Sequence, residues 1–546
     1  MLKILPKKTL SMQTRDGVRL DADVYYPDAP GPFPVLLMRQ PYGRAIASTV
    51  VYAHPSWYAA NGYIVVIQDV RGRGTSEGEF NLFAHEIADG EDTVNWAATL
   101  PNSNGRVGMY GFSYQGMTQL YAAAARPEAL KAIAPAMVAY DLYADWAYEG
   151  GAFCLQTNLL WGIQLAAEIA RRQGNDETYH ALYAAARNPP LYDPIPANPQ
   201  ILQELAPECF YYDWLANSNP DAEYWQRISP RNHLQKADLP MLHIGGWFDS
   251  MMRGTLHLYQ AMTVRSHFPQ FLVVGPWSHL PWSRKVGAID YGPEAANLID
   301  RMQIRWFDQF LKEQDTGLLE EAPVQLFEMG SNQWQAFLSW PESSAQPYFL
   351  SSTGLAAMGE AEGKLIETVP HQSDEDKFVH DPWRPFPSLG GHAAIPPGAF
   401  DRSTLEGRTD TVTYTSAPFT TDLHLAGEVW VEVYCEADST SFDLCAVLSE
   451  VRPNGSVYNF TQGYCRVTPT EKSHPLLIPL QPTCICISKG YCLRLSLSAA
   501  CFPAYAVNPG IDKPLGKAHL MDAQVITVTI HHGGNELSQV KLPIVT

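Results

Sequence analysis

The sequence predicts an α/β chain: a mainly parallel sheet covered by helices on both faces, interrupted by a helical insertion and followed by an all-β domain. Three observations carry this reading. Continuous apolar runs alternate with helix-like segments over residues 1–140 and again over 231–344, the β pattern vanishes over 141–230, and many short β-rich segments fill 345–546. At 546 residues the chain also exceeds the ~250–300 at which a single core stops growing. Those four stretches are therefore the expected first core part, helical cap insertion, second core part and C-terminal β domain.

The elements follow in order. Val18, Leu20, Ala22 and Val24 alternate with Arg19, Asp21 and Asp23, the period-2 pattern of a half-buried strand. The runs PVLLM (34–38) and YIVVIQDV (63–70) are continuous and apolar, as in strands buried on both faces, and the helix-like SWYAANG lies between them. Glu86–Leu100 reads as a helix closed by Pro101, and Arg106–Tyr110 as the next strand. MTQLYAAAA is rich in strong helix formers, and LKAIAPAM is another buried strand. Trp, Tyr, Leu and Ala dominate 141–230, around a Pro-rich loop, NPPLYDPIPANP. LPMLHIGG (239–246) and PQFLVVGP (269–276) restore the parallel pattern, and an amphipathic helix is expected over 295–313. Beyond residue 345, segments such as VTYTS, GEVWVEVYCE and AQVITVTI at short spacing predict a sandwich or jelly roll.

Composition narrows the function. With 46% hydrophobic residues, 17% charged residues and a net charge of −19 without any Lys/Arg-rich block, the chain lacks the electrostatic footprint of a nucleic-acid binder. No apolar run approaches the ~18 residues of a membrane span, and MLKILPKKTLSM lacks the apolar stretch of a signal peptide. The expectation is a cytoplasmic protein acting on small molecules or short peptides, with no nucleic-acid or membrane partner and with homo-oligomerisation open. The nine cysteines, seven of them beyond residue 430, show no CxxC spacing, and no HExxH occurs. Free thiols, no metal and no cofactor are expected.

One motif carries chemistry. In Gly111-Phe112-Ser113-Tyr114-Gln115-Gly116 a serine stands between a strand and a helix, the context of a nucleophile elbow, although the second glycine comes three residues after the serine instead of two. On these residues alone Ser113 is either a nucleophile or a small residue in a tight turn. A serine hydroxyl needs a base and the base needs an orienting acid; Asp249 follows the strand run LHIGG and His279 follows FLVVG, in the order Ser, Asp, His. Acyl transfer also needs donors for the developing oxyanion. The Tyr114 amide is one; the Tyr42 phenol, in Pro41-Tyr42-Gly43 after PVLLM, is a second unless that tripeptide is only a turn.

At this point the chain resembles the cocaine esterase and X-Pro dipeptidyl-peptidase family of serine hydrolases. The resemblance runs nearly end to end: RDGVRLDADVYYP, RQPYGR, VIQDVRGRGTSEGEF, VGMYGFSYQG, LKAIAP, GGWFDS, LVVGPWSH, VQLFEMGSNQW, PSLGG and CFPAYAVNP. It places the family's second glycine at Gly116. It implies an α/β-hydrolase core with a helical cap and a C-terminal jelly roll, Ser113 as nucleophile, His279 as base, Asp249 as its partner, and Tyr42 with the Tyr114 amide as oxyanion hole. It also offers Trp146, Trp161 and Phe248 as walls of an acyl pocket, and Glu149 as an acid that a substrate ammonium would need in a peptidase. The segment Asp69–Gly74 is read as a structural loop under the site. The expected activity is hydrolysis of small esters or amides through an acyl-enzyme, an acyl esterase in preference to an X-Pro dipeptidyl peptidase or an acyltransferase; a catalytically inactive binding protein is the alternative of another class. Specificity is expected in the cap.

Overall fold

The computed structural model describes residues 1–545 apart from 46–48, 192–194, 196, 342–343 and 469–474. Its first half is built on strands β1 (Lys8–Gln13), β2 (Arg19–Tyr25), β3 (Phe33–Gln40), β4 (Ile64–Asp69), β5 (Ser103–Phe112) and β6 (Leu130–Ala136). A short hairpin, β7 (Tyr148–Glu149) with β8 (Ala152–Phe153), precedes β9 (Met241–Phe248) and β10 (Gln270–Ser278). A ribbon, β11 (Lys285–Val286) with β12 (Ile289–Asp290), precedes β13 (Val324–Glu328) and β14 (Gln333–Phe337). Ten of these form one sheet in the order β1-β2-β4-β3-β5-β6-β9-β10-β13-β14. Every neighbouring pair from β4 to β13 is parallel, and the pairs at the two edges are antiparallel.

The period-2 geometry of the strands sorts their side chains onto two faces. Val35, Leu37, Val66 and Met109 join one apolar cluster, and Leu36, Met38, Val65 and Tyr110 another. Helices α1 (Pro55–Ala60), α2 (Glu86–Ala98) and α3 (Tyr114–Ala125) follow the early strands, α3 ending at a left-handed Arg126 before Pro127. The insertion contributes α4 (Leu155–Arg172), α5 (Asp176–Arg187), α6 (Gln200–Leu205), α7 (Phe210–Ala216) and α8 (Glu223–Ile228). Its core, with Trp214, Trp225 and Tyr211 fully buried, is continuous with the α2 and α3 face of the sheet. After it come α9 (Met252–Arg265) and α10 (Ile299–Leu311), and α10 packs with α1 on the opposite face through Trp306, Phe307 and Tyr58.

Helix α10 is shorter than the expected 295–313. Asn297 turns the chain by accepting the Ile299 N–H at 2.9 Å, and Glu313 takes a positive φ of 55° beyond the last turn. The insertion is not wholly helical either: Gly150 and Gly151, both at positive φ, close the β7–β8 hairpin. A Cβ on Gly150 would lie 2.0 Å from the Tyr464 carbonyl, so the hairpin packs directly on the C-terminal domain.

Thirteen strands, from β15 (Ser344–Ser351) to β27 (Gln539–Ile544), form that domain as one continuous, folded-over sheet. It encloses Val412, Leu425, Val431, Leu444, Leu495 and Ile530, a β-sandwich of jelly-roll type. The architecture is thus an α/β-hydrolase core with a helical cap and a C-terminal β domain. Among the described residues no helix is long and apolar enough to cross a membrane.

Candidate active site

Ser113 sits at the junction of β5 and α3 with φ 57° and ψ −128°, a conformation that a non-glycine residue adopts only under strain, at a cost of about 1–3 kcal/mol. The flanking glycines make the turn feasible. A Cβ on Gly111, whose φ is 142°, would fall 2.5 Å from the Gln115 Cβ. A Cβ on Gly116 would fall 2.4 Å from Val138 Cγ1 and 2.8 Å from the Ala136 carbonyl oxygen. The second glycine therefore stands three residues after Ser113 because that is where α3 crosses the end of β6. Ser113 N–H donates to the same Ala136 carbonyl at 2.9 Å.

Asp249 and His279 arrive from neighbouring parallel strands. β9 ends at Phe248, and the Asp249 N–H turns back to the Gly246 carbonyl at 3.0 Å. β10 is irregular between Gly275 and Ser278, and Gly246 leaves the space in which the Trp277 carbonyl lies, 2.4 Å from where a Cβ would be. These adjustments bring His279 Nε2 to 3.0 Å from Ser113 Oγ and His279 Nδ1 to 2.7 Å from Asp249 Oδ1. Asp249 is fully buried and Ser113 is 6% exposed, whereas the His279 side chain is one-third open to solvent.

Tyr42 follows β3. Its hydroxyl accepts the Trp161 indole N–H at 3.2 Å. Burial pushes the phenol up to about 12, so near neutrality it is a proton-bearing donor. The Tyr114 amide, at the first position of α3, lies outside the intrahelical ladder and is free to point at a ligand. The Tyr114 ring does different work: its hydroxyl donates to Glu86 Oε1 at 2.9 Å, and Arg39 Nη1 meets Glu86 Oε2 at 2.5 Å, a buried network that supports the elbow from below. The Asp69–Gly74 loop is tied down by its own charged side chains. Gly74 leaves room for the Asp69 carboxylate, which accepts the Arg44 N–H at 2.7 Å, and Arg71 bridges to Asp89.

The three residues offered as pocket walls, and the acid offered to an ammonium, separate. Trp161 is half-buried on α4 and touches Tyr42; Trp146 stacks on it at 4.7 Å, with its other contacts to Phe83 and Trp214. Phe248 is 1% exposed and packs in the cluster shared with the β domain, its ring 6.5 Å from Tyr291, because the alternation of β9 turns it away from Asp249. Glu149 is no free anion. It is buried, paired with Arg253 Nη1 at 2.7 Å, bonded to His392 Nε2 at 2.7 Å and to the Tyr505 hydroxyl, and these partners hold its carboxyl well below the usual range despite burial. Glu149 lines a small cleft with Trp146, Ser250 and Arg253, whereas Phe248 packs toward the β domain.

Sequence reasoning missed a cavity of about 390 Å³ beside Tyr42, between α4 and α5, lined by Leu160, Gln164, Glu168 and Tyr179 among others. Its signal was present, since Leu160, Gln164 and Glu168 recur every four residues on the α4 face next to Trp161. Elsewhere, Glu328, His424 and Cys486 bring one possible metal-ligand atom each within 4.8 Å of one another. Glu328 Oε1 already takes the His424 imidazole at 2.8 Å, and burial with the Glu328 charge pushes the Cys486 thiol up to about 11. None of the three contacts Ser113, His279 or Asp249.

Comparison with known proteins agrees with this architecture. The family profile for X-Pro dipeptidyl-peptidase (S15 family) matches residues 16–281, and that for the X-Pro dipeptidyl-peptidase C-terminal non-catalytic domain matches residues 317–541. The chain is 30% identical over 561 aligned residues to the cocaine esterase of Rhodococcus sp. (strain MB1 Bresler), across 97% of each protein. In three dimensions it resembles an aminopeptidase from a marine sediment Thaumarchaeota archaeon, with TM-score 0.82 and 21% identity over 99% of this chain and 96% of that one. It also resembles an α-amino acid ester hydrolase, with TM-score 0.79 and 22% identity over 99% and 97% of the two chains. At these identities the two structures speak to the fold alone.

Proposed function

The chain belongs to the cocaine esterase and X-Pro dipeptidyl-peptidase family of serine hydrolases, and from that membership we propose that it is an acyl esterase whose nucleophile is Ser113. The observation that carries the assignment is the unbroken sequence of contacts Ser113 Oγ, His279 Nε2, His279 Nδ1, Asp249 Oδ1, at 3.0 and 2.7 Å. His279 Nε2 takes the hydroxyl proton as Ser113 Oγ attacks the acyl carbon, and Asp249 stabilises the imidazolium. The Tyr42 hydroxyl and Tyr114 N–H donate to the oxyanion, a service worth about 3–4 kcal/mol for one well-placed donor. The imidazolium then protonates the leaving oxygen, and water, activated by the same imidazole, releases the acid.

Trp161, backed by Trp146, gives the acyl side an aromatic wall next to Tyr42. Esters are preferred over X-Pro peptides because the acid that would hold a peptide's ammonium, Glu149, is already neutralised by Arg253. Hydrolysis is preferred over transfer to another acceptor because His279 is open to water. Cys154, Cys209, Cys435, Cys445, Cys484, Cys486, Cys492 and Cys501 are free thiols, which supports action in a reducing compartment such as the cytoplasm.

A fluorophosphonate probe tests the assignment. The wild-type protein should form one covalent adduct, lost in Ser113→Ala; an unlabelled wild type or a labelled variant removes Ser113 from the mechanism and would favour an inactive binding protein. Rates on an aryl ester and on an X-Pro-anilide with free or blocked amine separate the two hydrolases: faster turnover of the free-amine anilide would replace the esterase by a dipeptidyl peptidase.

A further inference from the structure

We propose that the C-terminal β domain takes part in catalysis through Gln481, a positioning residue that holds Asp249 in line with His279. The inference rests on the Ser113–His279–Asp249 reading above. Asp249 offers Oδ1 to His279, but its buried Oδ2 has no hydrogen-bond partner among the described residues. With no second tether on the carboxylate, its aim depends on the backbone of residue 249. That backbone is clamped from the other domain: Gln481 Nε2 donates to the Asp249 carbonyl at 2.5 Å, across 232 residues of sequence. The amide orientation is unambiguous, since a carbonyl oxygen only accepts. Gln481 is 1% exposed, so no water is at hand to replace the bond.

The clamp is itself held firmly. Gln481 lies between β23 (Leu476–Pro479) and β24 (Thr483–Ile487), its N–H donating to the Gln462 carbonyl at 2.8 Å and its carbonyl accepting Thr461 Oγ1–H at 2.6 Å. Leu480 N–H donates to Val429 at 2.9 Å, and Gly463 leaves space for the Pro479 carbonyl, 2.4 Å from where a Cβ would be. A second strut starts four residues after Asp249, where Arg253 Nη2 donates to the Pro479 carbonyl at 2.9 Å. The other arm of Arg253 pairs with Glu149, which also binds His392 and Tyr505 of the β domain. This gives the buried Glu149 cluster a role: it anchors the loop that carries the catalytic acid.

The test uses the full-length chain and Gln481→Met, which keeps length and loses the donor. A displacement near 1 Å at a catalytic group costs about 100-fold in rate, so kcat on an aryl ester should fall about 10- to 100-fold with KM nearly unchanged, and fluorophosphonate labelling should slow in parallel. A misdirected Asp249 stabilises the imidazolium less, so the acid limb of kcat/KM should move to lower pH than in the wild type. A folded Gln481→Met with wild-type kcat, or with reduced kcat and an unmoved acid limb, overturns the proposal. Should that variant not fold, Thr461→Val loosens the same loop isosterically and should give a smaller loss with the same limb shift; an unmoved limb there is equally fatal. Failure of the wild type to label counts against Ser113 instead, so the two readings fail separately.

Discussion

Gly116→Ala tests the explanation of the elbow. The new methyl would lie 2.4 Å from Val138 Cγ1 and 2.8 Å from the Ala136 carbonyl oxygen, against about 3.5–4.0 Å for relaxed carbon contacts. Something must move by about 1 Å. The valine side chain can be displaced, but the carbonyl cannot retreat without stretching the 2.9 Å bond by which it holds the Ser113 N–H. Overpacking of this kind costs about 1–3 kcal/mol, offset by the roughly 1 kcal/mol that Ala gains over Gly inside a helix. The net destabilisation should be about 0–2 kcal/mol, with kcat down about 10- to 100-fold because the shift is passed to Ser113. In Gly116→Ala/Val138→Ala the methyl clash is relieved and the carbonyl clash remains, so part of the stability should return while kcat stays low. Scanning fluorimetry and aryl-ester turnover read the two effects. Unchanged melting and turnover in Gly116→Ala would refute the tight crossing as the reason for the glycine's position.

Tyr42→Phe removes one oxyanion donor and should lower kcat about 10²- to 10³-fold with little change in KM; a loss below about tenfold in steady-state kinetics would assign the second donor elsewhere. Because burial keeps the Tyr42 phenol protonated up to about 12, any alkaline fall in wild-type rate below that pH should persist, scaled down, in Tyr42→Phe. His243, buried in β9 against Gln270, is pushed down to about 4 from the ordinary 6.5. The unfolded chain therefore takes up this proton first on acidification, and between those pH values stability falls with pH by about 3 kcal/mol from this group. His243→Gln should flatten that part of the pH dependence of melting; an unchanged slope would contradict the buried neutral imidazole.

Much of the fold and the core of the site were legible because they are written in local patterns. Continuous apolar runs marked β3, β4, β9 and β10 as strands buried on both faces, and Asp249 and His279 were found by standing just past two of them. The elbow was legible as a strand, a serine and a helix. The reason for its spacing was not, since Val138 and Ala136 meet Gly116 only once β6 lies alongside β5.

By itself the sequence determined much of the order of strands and helices and the Ser–Asp–His succession, because hydrophobic periodicity and glycine placement act over a few residues. The tertiary structure alone decided which way each side chain faces and what it meets. Phe248, one residue from Asp249, turns into the β-domain core, and Glu149 pairs with Arg253 and His392. Gln481 reaches Asp249 from a strand loop whose local pattern carries no sign of it. Contacts between residues hundreds of positions apart are set by how the domains pack, and only the packed chain brings Gln481 of the β domain onto the Asp249 carbonyl.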